Sequence, residues 1–174
     1  MRITFVATAL ALALLTLAPT PFIPAPAYPA SRSPDSVPSR IDGIPIEYYG
    51  LIVLASEETG VPVAIIRDLI GRAENTAWNP RAASRARPDG HRDLGLCQHN
   101  SKYVAYFAEQ YNSGLLYDPL NPAEAIPVTA RILARNQERL GRLDHAIAAY
   151  RQGVDGVRLN GPDMAYVNKI LRGG

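Results

Sequence analysis

Apolar residues recur at helical spacing from Ile46 to Glu58, and Gly60 follows as a stop signal. Pro62 then suits the first turn of a second helix, VPVAIIRDLIGRAE, which sets Ile65, Ile66, Leu69, Ile70 and Ala73 on its apolar side. From Asn75 to Gly95 this period is lost, and Asn79-Pro80 and Pro88-Asp89-Gly90 are turn signals. A third helix is predicted after Ser101, with Tyr103, Tyr106, Phe107 and Tyr111 on one side. Asn121-Pro122-Ala123-Glu124 combines a cap, a first-turn proline and a reciprocal acid, so a long helix is predicted as far as Leu140, ended by Gly141. Asp144 can cap a short helix HAIAAYRQ that Gly153 closes, and a last helix is predicted over Asp163 to Leu171. The pattern is that of a mainly α domain with a small β-hairpin insert around Asp89-Gly90.

The first forty residues do not share this pattern. Arg2 precedes an uncharged apolar run, Ile3 to Ala18, that stops at Pro19. A membrane-spanning helix needs roughly 20 apolar residues, so the run is short for a span and reads as a signal peptide, residues 1–27, ending at Ala25-Pro26-Ala27. An uncleaved membrane anchor is the competing reading. On either reading the protein is exported, to a periplasm, a cell wall or the extracellular space. Seven of the fifteen prolines lie between Pro19 and Pro38, so residues 28–40 are expected to form an extended linker and residues 41–174 the folded domain.

Composition narrows the chemistry. The chain is 47% hydrophobic, which is normal for a globular core, and its net charge of +2 is too mild to advertise a nucleic-acid binder. One cysteine excludes an internal disulfide framework and any multi-cysteine zinc site. Cys97 lies in the apolar run Leu94-Gly95-Leu96-Cys97 and is expected to be buried as a small hydrophobe. His91, Asp93 and His99 lack the ligand number and local framework of a metal site, so neither metal nor cofactor is expected. His99 is expected at an apolar position where it finds a hydrogen bond. Arg81, Arg85, Arg87 and Arg92 read as a solvated basic loop, and the tyrosines after Ser101 as mostly core-facing, with one ring available to a groove.

Two carboxylates remain. Glu74 ends the apolar second helix, where the negative helix pole and an apolar wall both disfavour the ionised form, so its pKa should rise. A general acid at neutral pH requires such a carboxyl. A surface glutamate paired with Arg72 or Arg81 is the plainer alternative. In the segment Asp89-Gly90-His91-Arg92-Asp93, strand geometry points His91 and Asp93 to one face. A hairpin folded against the helix end would let Asp93 face Glu74 across a cleft, and two carboxyls in unlike environments are the equipment for glycosidic cleavage. Asp93 as a turn or strand-edge residue is the alternative there.

These residues match a family pattern. AIIRDLIGRAENTAWNPRAAS resembles the start of the soluble lytic transglycosylase domain, in which an apolar helix ends in the catalytic Glu before an aromatic-Asn-Pro step. DGHRDLGLCQHNSKY is similar to that family's Asp-Gly-x-x-Asp-x-Gly-Leu-x-Gln-Ile-Asn segment, HAIAAYRQG to its Ala-Leu-Ala-Ala-Tyr-Asn-Ala-Gly motif, and Tyr166 to Leu171 to its closing helix. The resemblance covers about Tyr48 to Leu171, with the blocks in family order. It implies a lysozyme-like α+β fold, with Glu74 as the catalytic acid and Asp93, Gln98, Asn100 and Tyr150 as substrate-binding residues. Gly95 and Leu96 would sit at a tight approach, and the Tyr150 hydroxyl beside the sugar and Glu74.

Departures from the pattern are Asn75 for Ser, one extra residue before the Asn-Pro step, Cys97 for Met or Phe, His99 for Ile, and Arg151-Gln152 for Asn-Ala. The implied activity is cleavage of the β-1,4 bond between N-acetylmuramic acid and N-acetylglucosamine in peptidoglycan, as a lyase forming 1,6-anhydro ends. A hydrolytic muramidase using Glu74 with Asp93, and a non-catalytic glycan binder on the same fold, are the rivals. The implied partner is the glycan strand, met by a monomer, alone or recruited to an envelope machine.

Overall fold

The computed structural model describes residues 39–172, all within one compact unit, Val37–Gly174. The signal and most of the linker expected from the sequence lie outside the described residues.

A two-residue hairpin opens the unit, β1 (Arg40–Ile41) against β2 (Ile44–Pro45). Asp42 and Gly43 between them both have positive φ, 51° and 80°, which matches the twist of paired strands. Helix α1 (Ile46–Thr59) follows and ends at Gly60, whose left-handed φ of 72° lets its N–H reach the Ser56 carbonyl. The second predicted helix has two parts. Helix α2 (Val63–Asp68) runs into a widened segment, Leu69–Glu74, with i→i+5 bonding, and the Asn75 N–H closes it on the Ile70 carbonyl at 2.7 Å.

The irregular insert holds β3 (Asp93–Leu94) and β4 (His99–Asn100), paired Asp93 to Asn100 and Leu94 to His99. The hairpin expected around Asp89-Gly90 is present as an irregular arm: the Gly90 N–H reaches the Arg87 carbonyl, the Arg87 N–H the His91 carbonyl at 2.8 Å and the Ser84 N–H the Asp93 carbonyl at 2.9 Å, with an antiparallel bridge from Ala83 to Leu94. The strands β3 and β4 continue from it and flank a second turn, Gly95 to Gln98.

A short 3₁₀ turn, Ser101–Tyr103, leads into α3 (Val104–Tyr111). Helix α4 (Pro122–Leu140) begins at Asn121, whose side chain accepts from the Ala123 N–H, while Glu124 accepts from the Asn121 side-chain amide. Helix α5 (Leu143–Gln152) starts before Asp144, so Asp144 does not cap it. Arg142 forks that carboxylate at 3.0 and 2.7 Å, and the aspartate sits inside the first turn. The pattern missed α6 (Val154–Asn160). Helix α7 (Met164–Leu171) is capped by Asp163, which accepts from the Tyr166 N–H.

Helix α4 is the central element, packed on α1 and α5, while α7 lies against α2 and the widened segment. The core gathers Ile52, Ile66, Leu69, Ile70, Ile126, Leu133, Ile147 and Ile170, each essentially inaccessible to solvent. Such side chains contribute about 1.5–3 kcal/mol apiece when buried. The second helix thus has its apolar face fixed in the core, and this determines where its last residue, Glu74, can point. No helix among the described residues is long and apolar enough to cross a membrane.

Candidate active site

Glu74 emerges from the widened turn, and local packing explains that turn. Gly71 lies within it, and a Cβ there would come 2.7 Å from the Trp78 ring. The buried indole therefore sits on bare backbone, with Tyr48 stacked at 6.0 Å on it. Trp78 holds this position with a φ of 54°, a conformation rare for a bulky residue. Asn75 closes the corner. Its Nδ2 donates to the carbonyls of Asn79 (2.7 Å) and Gly95 (3.3 Å), and its Oδ1 accepts from the Asn79 N–H. Asn75, one of the departures next to Glu74, thus forms a built connection between helix end and insert.

The insert is held against the helical body at a second point. Gly95 has a φ of 74°, and a Cβ there would lie 1.9 Å from the Pro119 carbonyl oxygen. The tight approach expected at Gly95 is present, and only glycine fits it.

Between these walls runs a cleft of about 740 Å³. Glu74, Asp93, Gln98, Asn100 and Tyr150 all line it, so the five residues singled out in the sequence are brought to one cavity. Their settings differ. Glu74 is half-buried, and its Oε1 accepts a hydrogen bond from the Tyr166 hydroxyl. Burial pushes its pKa above the usual glutamate value, against the opposing pull of the Tyr166 hydroxyl and the Arg151 charge, with Asp93 adding to the rise. The surface ion pair with Arg72 considered above is not what the residue makes; Arg72 reaches back to Asp68 at 3.0 Å.

Asp93 is saturated. Arg87 Nη2 donates to its two oxygens at 2.9 and 2.7 Å, and Asn100 Nδ2 donates to Oδ1 at 2.8 Å. Asn100 also accepts from the Lys102 N–H, which starts the 3₁₀ turn. Arg87 is therefore part of the cleft wall and not simply a solvated loop residue. Gln98 has a φ of 53° and bonds the Gly95 carbonyl through Nε2 at 2.8 Å.

Tyr150 lines the cleft within electrostatic range of Glu74, and its hydroxyl donates to the Cys97 carbonyl at 2.8 Å, while Tyr166 supplies the hydroxyl that bonds Glu74. Sequence reasoning had Tyr166 only as part of a closing helix. Tyr166 and Lys169, one turn apart on α7, both line the cleft.

A polar cluster supports the floor. Thr129 donates to the Ala125 carbonyl, so its oxygen accepts from His99 Nε2 at 3.1 Å, which leaves Nδ1 to accept from the Tyr117 hydroxyl. His99 is thus a neutral buried imidazole with its pKa pushed down to about 3 by desolvation, hydrogen-bonded at an apolar position as expected. Cys97 is also buried, its thiol pushed up to about 12. Tyr103 and Tyr106 are corrections: both are nearly half exposed and line the cleft, while Phe107 and Tyr111 pack toward Tyr117 and Ile132.

A second cavity, of about 540 Å³, lies over α1, α3 and α4. Arg131 forks Glu58 there at 2.7 and 3.0 Å, and Arg135 bonds the Gln110 side chain. No group of three or more His, Cys, Asp or Glu among the described residues could hold a metal ion.

No curated protein matches the chain at a significant level. The family model for the transglycosylase SLT domain matches residues 52–161, which takes in Glu74, the insert, the cleft floor and Tyr150. Helical architecture, cleft and match agree, and the chain belongs to the SLT family of lytic transglycosylases, glycosidase-type enzymes with a lysozyme-like fold that act on peptidoglycan.

Proposed function

We propose that this protein cleaves the β-1,4 bond between N-acetylmuramic acid and N-acetylglucosamine as a lyase, with Glu74 serving first as acid and then as base. The observation that carries the reading is the contrast in the cleft. One carboxyl is half-buried with a raised pKa, and the other accepts from one arginine nitrogen on both oxygens and from an amide.

In this mechanism protonated Glu74 gives its proton to the glycosidic oxygen as the bond from that oxygen to C1 breaks. The cationic sugar that results is attacked at C1 by its own 6-hydroxyl oxygen. The Glu74 carboxylate takes the hydroxyl proton, which regenerates the acid and leaves a 1,6-anhydro ring. Tyr166 holds Oε1, so Oε2 is the oxygen free to exchange the proton, and the Tyr166 bond stabilises the carboxylate between the two transfers. Asp93, with its lone pairs committed to Arg87 and Asn100, serves to shape the wall. Gln98 and the exposed rings of Tyr103 and Tyr106 offer polar and stacking contacts to sugars. The apolar N-terminal run would deliver the domain to the compartment that contains the wall.

Digestion of purified peptidoglycan by the whole chain, with Glu74→Gln beside it, tests this reading by mass. Anhydro-muramyl ends that disappear with the variant are the expected result. Reducing ends would instead make the enzyme a muramidase and raise Asp93 to partner, and no products from the unaltered chain would leave a glycan binder.

A further inference from the structure

Among the residues that line the cleft, cations outnumber acids. Arg87 and Asp93 neutralise one another. What remains is Glu74 as the one other acid among the described lining residues, against Arg139 at the end of α4, Arg151 at the end of α5 and Lys169 on α7. All three cations are solvent-exposed at their outer ends. Neither Arg139 nor Lys169 makes an ion pair among the described residues. Arg151 makes a loose ion pair with Asp163 at 3.8 Å, in which both side chains stay well exposed, so the guanidinium remains open to a further anion. The Arg151 guanidinium lies 5.5 Å over the Tyr166 ring, so it is pre-oriented beside the hydroxyl that holds Glu74. Its neighbour Gln152 fixes this corner, since Gln152 Oε1 accepts from the Asp163 N–H at 2.7 Å and its amide donates to the Gly161 carbonyl.

We propose that Arg151 and Lys169 form a carboxylate subsite that makes the cleft select glycan strands bearing negative substituents over neutral ones. This rests on the reading of the cleft as a peptidoglycan site. The ligand chemistry is a carboxylate carried on the muramyl sugar, for which a planar guanidinium stacked on a ring is a suited fork. Two sources carry that chemistry: the lactyl carboxylate of a peptide-free strand, and the carboxylates of a stem peptide. The subsite serves ground-state recognition, so its loss should appear in binding and KM before kcat.

The test measures binding by calorimetry with the whole chain carrying Glu74→Gln, so that no ligand is turned over. Three oligosaccharides of equal length are compared: an all-N-acetylglucosamine chain, a peptide-free alternating muramyl chain, and the same chain with stem peptides. The expected result is a preference of about tenfold for one or both muramyl chains over the neutral one, reduced by salt. Arg151→Gln or Lys169→Gln should erase most of that preference and leave the neutral chain's affinity in place, while Arg151→Lys retains part of it. Preference for the peptide-free chain assigns the lactyl carboxylate, and preference confined to the substituted chain assigns the peptide. Equal binding of all three, or a preference that survives both glutamine variants, overturns the subsite and leaves the glycan reading standing. Binding of none overturns both.

Discussion

The cleft has two walls, and each presents one carboxylate. The helical wall places Glu74 at the end of a core-packed helix, behind the Tyr166 hydroxyl and with its ionised form disfavoured by burial. The opposite wall is a turn-rich insert in which Asp93 is gripped by Arg87 and Asn100. A carboxyl that accepts one hydrogen bond in a poorly solvated setting has its protonated form favoured. A carboxylate that accepts three charge-assisted or amide bonds has most of its lone-pair sites occupied. The side chains are chemically alike, so their roles come from the elements that hold them.

Glu74→Gln is the severest way to break the comparison. Loss of the proton donor should lower kcat by about 10³-fold or more, read as release of muropeptides. Stability should move the other way. A folded-state pKa raised above the ordinary 4.5 means that the native state holds the Glu74 proton more tightly than the unfolded chain does. That contribution is fully present below pH 4.5 and is lost as pH rises through the raised value. The glutamine variant should therefore melt above the parent chain at neutral pH, with the difference closing in acid. A melting temperature lowered at every pH would show that the carboxylate is not held at a cost.

The next largest effect is on the connection between the walls. Gly95→Ala would force a Cβ into the Pro119 carbonyl at a left-handed backbone position. The expected cost is about 2–5 kcal/mol, seen as a lower urea midpoint, with activity falling as the insert loses its place.

Those two residues also show what could be read in advance. Glu74 was legible because a period-3.6 apolar face needs no tertiary information and ends where the turn signals begin. The helix stops at Gly60 and Gly141 and the cap at Asn121 were legible for the same local reason. The insert was not, because its register is set by contacts distant in sequence, such as Gly95 on Pro119 and Asn75 on Gly95. The widened turn escaped detection because i→i+5 bonding leaves no periodic mark over six residues. The Tyr166 bond to Glu74 was not legible for a related reason. Which hydroxyl reaches Glu74 depends on how α5 and α7 pack, and both helices carry a tyrosine near their cleft ends.

Tyr166→Phe tests the helical wall alone. The hydroxyl stabilises the Glu74 carboxylate, so its removal should raise the Glu74 pKa further and carry the alkaline limb of the kcat/KM profile to higher pH. A loss of about tenfold in kcat is expected at the optimum, because the anion formed after the first proton transfer loses its donor. An unmoved limb would show that the hydroxyl serves packing only.

Asp93→Asn has the smallest expected effect and is the sharpest test of the opposite wall. Asp93 adds to the rise of the Glu74 pKa, so removal of its charge should lower that pKa and move the same alkaline limb to lower pH, opposite to Tyr166→Phe. The Arg87 pair is more than half exposed on its arginine side, so stability should fall by no more than about 1 kcal/mol. A saturated carboxylate that only shapes the wall predicts a kcat loss of a few-fold with anhydro ends still the product. A loss as deep as that of Glu74→Gln, with reducing ends from the parent enzyme, would mean that Arg87 and Asn100 release Asp93 when sugar binds. Opposite pH shifts from the two variants, with one product throughout, would leave Glu74 as the sole proton carrier and assign the insert to substrate placement.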